Sequence, residues 1–446
     1  MEEVKVSPNS TPKTSVETEI ASELSQIADP PEPDYSPPSE GSSLNQTSYF
    51  NLVSTIHDKH FHIKINNDQY NNILTSLVNG LRRTIITDIP TVSFDVESLS
   101  GFDNPKLRII TNRSKYHNDY LAHRISLIPV SITTFMKNLK TYNYYNIINS
   151  SNTIQMNVED FDVSKLQFKI NVSNTNNIME KSIYVKTNDM KVYYDDNEIS
   201  NEEYKFINPE IILAKLTPMK RETDIPESIN LIATPSLGYG YMHTRWSPTS
   251  NIEYWFEEDE EKINQLTSSL SESENKRFRI EKSQRIYKGA ENNIPMIYNI
   301  KYKSKGSVNN YYIFKETIRV LKEKINSYKN NLQSGENMKF TYETNAMNAL
   351  DIITETAGHT VGNIIVEYAR MHKGVDYIAY KVPHPLKKDM FVRVKPTLEY
   401  KEQSDLSEKD LTISIINEVC IHVINILKNL ENEYNQIIQE EDELQS

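Results

Sequence analysis

Two stretches of this chain carry the same long apolar stripe, and each stripe requires a surface to bury it. Phe314, Ile318, Leu321, Ile325 and Tyr328 recur at 4-3-4-3 spacing; Ile416, Cys420, Val423, Leu427, Leu430, Tyr434 and Ile437 recur at 4-3-4-3-4-3. On a helix such spacings put every member on one face. Ser407, with Asp410 three residues on, gives the second helix a capping-box-like start. Packing within the chain is favoured over a coil between chains, and the two stripes can satisfy each other.

Each stripe closes a repeated plan. Phe61, Ile63 and Ile65 alternate with His62 and Lys64, the pattern of a strand with one apolar face. Ile73, Leu74, Leu77, Val78, Leu81 and Ile85 then predict a helix of about 15 residues, roughly 22 Å, stopped by Pro90. A strand with Met296, Tyr298, Ile300 and Tyr302 on one side precedes the first stripe. The C-terminal part repeats this order. It has Phe340 and Tyr342 on a strand, then Thr360 as N-cap of a helix facing inward with Val361, Ile364, Ile365 and Tyr368. Strands through Tyr377 and Ala379 and through Met390, Val392 and Val394 follow. The fold class is therefore α+β: two modules of small antiparallel sheet plus long helices, forming a pseudo-dimer within one chain. The excursion from Thr91 to Ser250 reads as a mostly-β domain inserted in the first module.

A chain of 446 residues supports two or three domains with cores of their own. Its net charge of −12 argues against a surface built to neutralise phosphates. The single cysteine, Cys420, excludes an internal disulfide and any zinc site of several cysteines, and fits a reducing compartment. The sequence reads as soluble, with no apolar run of membrane-spanning length and no signal peptide. Residues 1–48, rich in Ser, Pro, Glu and Thr, read as a disordered tail. Residues 257–276 read as an exposed acidic linker with one short helix, and 439–446 as an acidic tail.

Two groups of motifs carry a resemblance. Leu77-Val78-Asn79-Gly80-Leu81-Arg82-Arg83, with Asn118 to Pro129, resembles the larger α-like subunit of cellular RNA polymerases, the third-largest of RNA polymerase II. Gly238-Tyr239-Gly240 and His243 to Pro248 resemble the end of that subunit's inserted domain. Gly358-His359-Thr360-Val361-Gly362-Asn363, with Ala379 to Leu386, resembles the smaller α-like subunit, the eleventh. Cellular enzymes make these as two chains; one chain holding both is similar to the fusions of large cytoplasmic DNA viruses. The resemblance implies a first module at 49–90 and 277–332, an insert at 91–256, a link at 333–338 and a second module at 339–438. It implies host cytoplasm and virion if viral, otherwise nucleus. The cysteine-ligated zinc loop of many larger-subunit homologues is missing here.

The search for chemistry ends in binding rather than catalysis. Asp160-Phe161-Asp162 and Asp195-Asp196 lack the Gly-flanked acidic loop expected of a two-metal site. His57, His60 and His62 lack a third ligand on one face, and Gly238 and Gly240 lack a helix to cap for phosphate binding. No catalytic residue, metal site or cofactor is assigned. The resemblance implies a docking surface formed by Asn79, Arg82, Arg83, His123, Arg124, Trp246, His359, Thr360, Asn363 and His384. Arginine suits such a surface because its planar fork pairs bidentately with carboxylates and carbonyls. Arg124 could equally brace the domain internally. Phe314, Ile318, Leu321, Ile325, Val423, Leu427 and Leu430 are the expected intramolecular dimerisation residues. The implied role is a non-catalytic platform for the largest and second-largest subunits and a small subunit similar to the tenth or twelfth, touching DNA only through the holoenzyme and with no membrane partner. The alternative is a free-standing transcription regulator on the same fold.

Overall fold

The computed structural model describes residues 50–56, 60–67, 73–96, 106–131, 163–175, 181–200, 203–219, 221, 224–289, 294–308, 310–343, 348–384, 386–387 and 389–445. The N-terminal tail, His57 and Asp160-Phe161-Asp162 lie outside them.

The first module opens with β1 (Phe50–Ile56), β2 (His60–Asn66) and α1 (Thr75–Thr87). Helix α1 is 13 residues long and ends at the Asp88 C-cap, leaving Pro90 to begin β3 (Pro90–Phe94). The insert continues through β4 (Leu107–Asn112), α2 (Asn118–Ser126), β5 (Leu166–Ser173), β6 (Ile183–Lys186), β7 (Lys191–Tyr194), β8 (Asn197–Ile199), β9 (Ile212–Leu216), β10 (Ser228–Ala233) and β11 (Pro235–Tyr239). Its main sheet runs β4-β10-β5-β7-β8, and β3 pairs with β11. Asp195 and Asp196 form the two-residue turn between β7 and β8, with φ of 49° and 63°. Asp tolerates this left-handed region, which hairpin turns of this length require.

The chain returns to the first module with β12 (Thr249–Phe256), the helices α3 (Glu260–Thr267) and α4 (Glu272–Glu281), β13 (Ile297–Ser304) and α5 (Asn310–Ser334). The second module is β14 (Met338–Glu343), β15 (Ala349–Thr354), α6 (His359–Arg370), β16 (Val375–Lys381), β17 (Met390–Pro396), α7 (Leu398–Glu402) and α8 (Glu408–Gln445).

The two modules share one topology. The first sheet is ordered β1-β2-β13-β12 and the second β14-β15-β17-β16, both antiparallel. By that equivalence β12 matches β16, so residues 249–256 belong to the first module and not to the insert expected to run to 256. The stretch expected as an acidic linker folds into the α3–α4 pair. Asp259 caps α3 through Lys262 N (3.1 Å), Ser271 and Glu274 form a capping box on α4, and Ile263, Phe278 and Ile286 make a small core. The acidic residues after 438 continue α8 to Gln445.

Helices α5 and α8 run antiparallel along each other. Gln333 Nε2 donates to Asn417 Oδ1 (3.0 Å) near one end of α5, and Tyr434 OH donates to the Tyr311 carbonyl (3.3 Å) at the other. Lys322 pairs with Glu431 between them. Phe314 and Tyr434 pack with ring centroids 4.9 Å apart and planes tilted by 60°, and both meet Phe61 of β2. All seven expected dimerisation residues are buried in one continuous core that spans both modules. Helix α8 corrects one expectation, since Glu408–Ile437 is long and apolar enough to cross a membrane. Its apolar positions, such as Val423, Leu427 and Leu430, are instead buried in that core.

One uncompensated group lies on the α5 side of this seam. Tyr328 OH is buried without a hydrogen-bond partner, near the Cys420 thiol, whose pKa burial pushes up to about 12. A buried unmade hydrogen bond costs about 1–3 kcal/mol. Tyr328→Phe should therefore leave the urea midpoint unchanged or raise it. A stability loss above about 1 kcal/mol would show that the hydroxyl contributes after all.

Candidate functional site

Where the modules meet, α1 lies antiparallel to α6. Gly80 faces α6 at this crossing: a Cβ there would lie 2.7 Å from Ile364 Cδ1, so a larger side chain would have to displace that methyl group. Arg83 Nε donates to Thr360 Oγ1 (3.1 Å) on one side of this crossing, and Leu74 N donates to Tyr368 OH (3.2 Å) on the other. Thr360, expected as the α6 cap, is instead in the first turn after Gly358 and is occupied by Arg83.

Two cavities open along this seam. One, about 390 Å³, is lined by Ser76, Asn79, Arg83, His359, Thr360, Asn363 and Tyr380, with Gly80 at its floor. The other, about 290 Å³, is bounded by Leu74, Thr75, Ser76, Asn79, Tyr254, Tyr298, Asn363 and Glu367, with Ile294 and Pro295. Ser76, Asn79 and Asn363 line both, so the two form one groove. Five of the ten expected docking residues, Asn79, Arg83, His359, Thr360 and Asn363, converge on it from motifs about 280 residues apart. Arg82, next along α1, is half-buried and holds Asn79 Oδ1 through Nε (3.0 Å). That bond orients the Asn79 amide nitrogen as a donor. In the second cavity Tyr298 OH donates to the Ile73 carbonyl (3.0 Å), and burial raises its pKa so that it stays protonated.

The other expected residues lie elsewhere. Trp246 is only 2% exposed: its indole fills the space above Gly238, and Nε1 donates to the Ser236 carbonyl (3.1 Å). A side chain so enclosed holds the insert together and does not meet a partner. Arg124 reaches the Ile212 carbonyl and lies over the Tyr120 ring, so it braces α2 against β9. His123 is exposed on α2, and His384 is exposed in the β16–β17 connection, where Nδ1 accepts from Leu386 N (3.1 Å). His62 bonds Asn299 Oδ1 through Nε2 (3.0 Å) and packs on Trp255, so it is engaged in the sheet. Among the described residues no group of three His, Cys, Asp or Glu side chains could hold a metal. Sequence reasoning missed Ser76, Glu367, Tyr254 and Tyr298. Only Ser76, a small polar residue inside the apolar α1 pattern, carried a signal.

This arrangement can recognise a polypeptide by hydrogen bonds and charge. Comparison with known proteins shows the family. Residues 349–438 match the family described as RNA polymerase Rpb3/Rpb11 dimerisation domain. The subunit Rpo11 of the DNA-directed RNA polymerase of Metallosphaera sedula is 30% identical over 78 residues, covering 17% of this chain and 87% of that protein. The RPAC1 subunit of DNA-directed RNA polymerases I and III of Saccharomyces cerevisiae is 24% identical over 204 residues, 41% of this chain and 51% of that protein. A conjugation stage-specific protein of Tetrahymena thermophila is 26% identical over 181 residues, 39% of this chain and 50% of that one. The chain thus spans about half the length of several of the curated relatives it matches. With two modules of one topology, and with likeness to subunits of both the longer and the shorter kind, the chain belongs to the Rpb3/Rpb11 family of α-like RNA polymerase subunits.

Proposed function

We propose that the chain is a non-catalytic assembly platform of a multisubunit DNA-directed RNA polymerase. Its pseudo-dimer docks the second-largest subunit on the α1–α6 groove, and the largest subunit and a small subunit similar to the tenth or twelfth of RNA polymerase II then join. The observation that carries this reading is the meeting of Asn79 and Arg83 with His359, Thr360 and Asn363 in one groove. Affinity capture of the tagged full-length chain from its natural setting tests it. Both large subunits should appear in the eluate, and their absence would refute the platform. Repeating the capture from virions, cytoplasm and nuclei tests its location, for which host cytoplasm and virion is the proposal.

The net charge of −12 supports a contact with DNA made only through the holoenzyme. Nonspecific duplex binders show dissociation constants of roughly 10⁻⁴–10⁻⁶ M at physiological salt. Fluorescence anisotropy of the isolated chain should give weaker binding than this. Micromolar binding that falls steeply with salt would favour a regulator.

A further inference from the structure

Another cavity lies outside the α1–α6 groove. It encloses about 350 Å³ where the end of α6, the turn into β16, α7 and the middle of α8 meet. Four of its lining side chains are rings: Tyr368, His372, Tyr400 and His422. They stand edge to face in two pairs, Tyr368 with His422 (6.0 Å between centroids) and His372 with Tyr400 (5.8 Å). Gly374 leaves room for the second pair, since a Cβ there would lie 3.0 Å from Tyr400 Cδ1 and 3.1 Å from His372 Nδ1.

The polar groups around these rings favour a cation. Gly374 N donates to His372 Nδ1 (3.1 Å), which leaves the ring proton on Nε2, directed at Glu418 Oε2 (3.3 Å). Ser414 Oγ donates to Glu418 Oε1 (3.4 Å). A carboxylate has about four lone-pair sites, so Glu418, its side chain half exposed, retains room for a two-pronged donor. Burial lowers the His422 pKa, so this ring is neutral at pH 7 and does not repel a cation. Helix α6 ends here at Met371, and its dipole adds negative potential. The one cation in the lining, Lys373, is exposed, and in the adjoining α7–α8 stretch five carboxylates between Leu398 and Asp410 outnumber Lys401 and Lys409. Leu398 on α7 and Ile421 beside His422 on α8 are exposed apolar side chains, at 72% and 41%. They extend the site into a surface of the kind a polypeptide covers.

We propose that this cavity receives an arginine side chain from a basic segment of a protein partner, its guanidinium forked onto Glu418 and stacked on Tyr400. Arginine pairs bidentately with a carboxylate and stacks on an aromatic face at once. Lysine offers a point charge and no planar face. A Phe or Trp anchor would cover Glu418 and leave its remaining lone pairs without donors. An acidic segment, including residues 1–48 of this chain with nine carboxylates against two lysines, meets like charge. The site is separate from the α1–α6 groove, and the proposal stands whether or not that groove docks the second-largest subunit.

Panning a random peptide library displayed on phage against the full-length chain tests it. The enriched peptides should include a set sharing one Arg among basic neighbours. Replacing that Arg with citrulline, which keeps the shape and loses the charge, should abolish binding of the labelled peptide. Glu418→Gln should weaken binding roughly 10- to 100-fold, the loss of hydrogen bonds to a charged group. Tyr400→Leu should weaken it roughly 3- to 10-fold. Glu418→Gln should leave the melting temperature unchanged, because the side chain is half exposed. The bound peptide should shift the imidazole NMR signals of His372 and His422 and leave that of His359, in the α1–α6 groove, in place. The proposal is overturned if no enriched Arg peptide loses affinity for the Glu418→Gln chain, if the peptides that do lose affinity are anchored by Phe or Trp, or if the shifts appear at His359 instead.

Discussion

Replacing Phe314 with alanine should lower the unfolding free energy by about 3–5 kcal/mol, the range for a fully buried phenylalanine. Phe314 has no exposed surface, and its ring contacts Phe61 from the first sheet and Tyr434 from the far end of α8. The loss therefore falls on the seam between modules as well as on one core. A double-mutant cycle with Tyr434→Ala separates these parts. Ring pairs at this spacing contribute about 0.5–1.5 kcal/mol beyond area, so the two substitutions should depart from additivity by that amount. Urea unfolding provides both numbers. Strict additivity would mean that the two rings only share a neighbourhood. A single unfolding transition in all variants is also expected, because one core joins the halves.

Changing Arg82 and Arg83 together to alanine should leave the isolated chain within a few degrees of its normal melting temperature. Arg83 is exposed and Arg82 half-buried, and their resolved bonds are single contacts to Thr360 and Asn79. Exposed substitutions of this kind cost about 0.5 kcal/mol or less each. Retention of the second-largest subunit should fall sharply, because truncating one partner of a buried interface charge costs roughly 2–5 kcal/mol. That corresponds to a loss of about 30-fold or more. Unchanged retention would return both residues to the role of solvated surface.

Periodicity made the apolar skeleton legible. The stripes through Phe314 to Tyr328 and Ile416 to Ile437 fall on α5 and α8, the stripe from Leu77 to Ile85 on α1 with Ile73 and Leu74 just before it, and the alternations at Phe61 to Ile65 and Met390 to Val394 on β2 and β17. Strand β12 was harder to place, because its edge position leaves Glu253 and Trp255 exposed and its pairing with β13 crosses the α3–α4 excursion. The α3–α4 pair was hidden because a run of five acidic residues dominates its opening, while its core rests on a few residues including Ile263, Phe278 and Ile286. Within the site, the motif residues on α1 and α6 were readable as a group. Trp246 was placed on the docking surface by the motif resemblance alone, and only tertiary structure shows Gly238 making room for it.

The three residues between the end of α5 at Ser334 and the start of β14 at Met338 form a tight junction, with Gly335 and Asn337 in the left-handed region at φ of 73° and 56°. Two separate genes would have to be expressed in balance, and an excess of either product would expose an unsatisfied stripe prone to aggregation. A peptide linkage at this junction sets the dosage at one to one by translation. It also favours pairing of unlike halves over like ones by raising their effective concentration, and every completed chain enters assembly with both halves present.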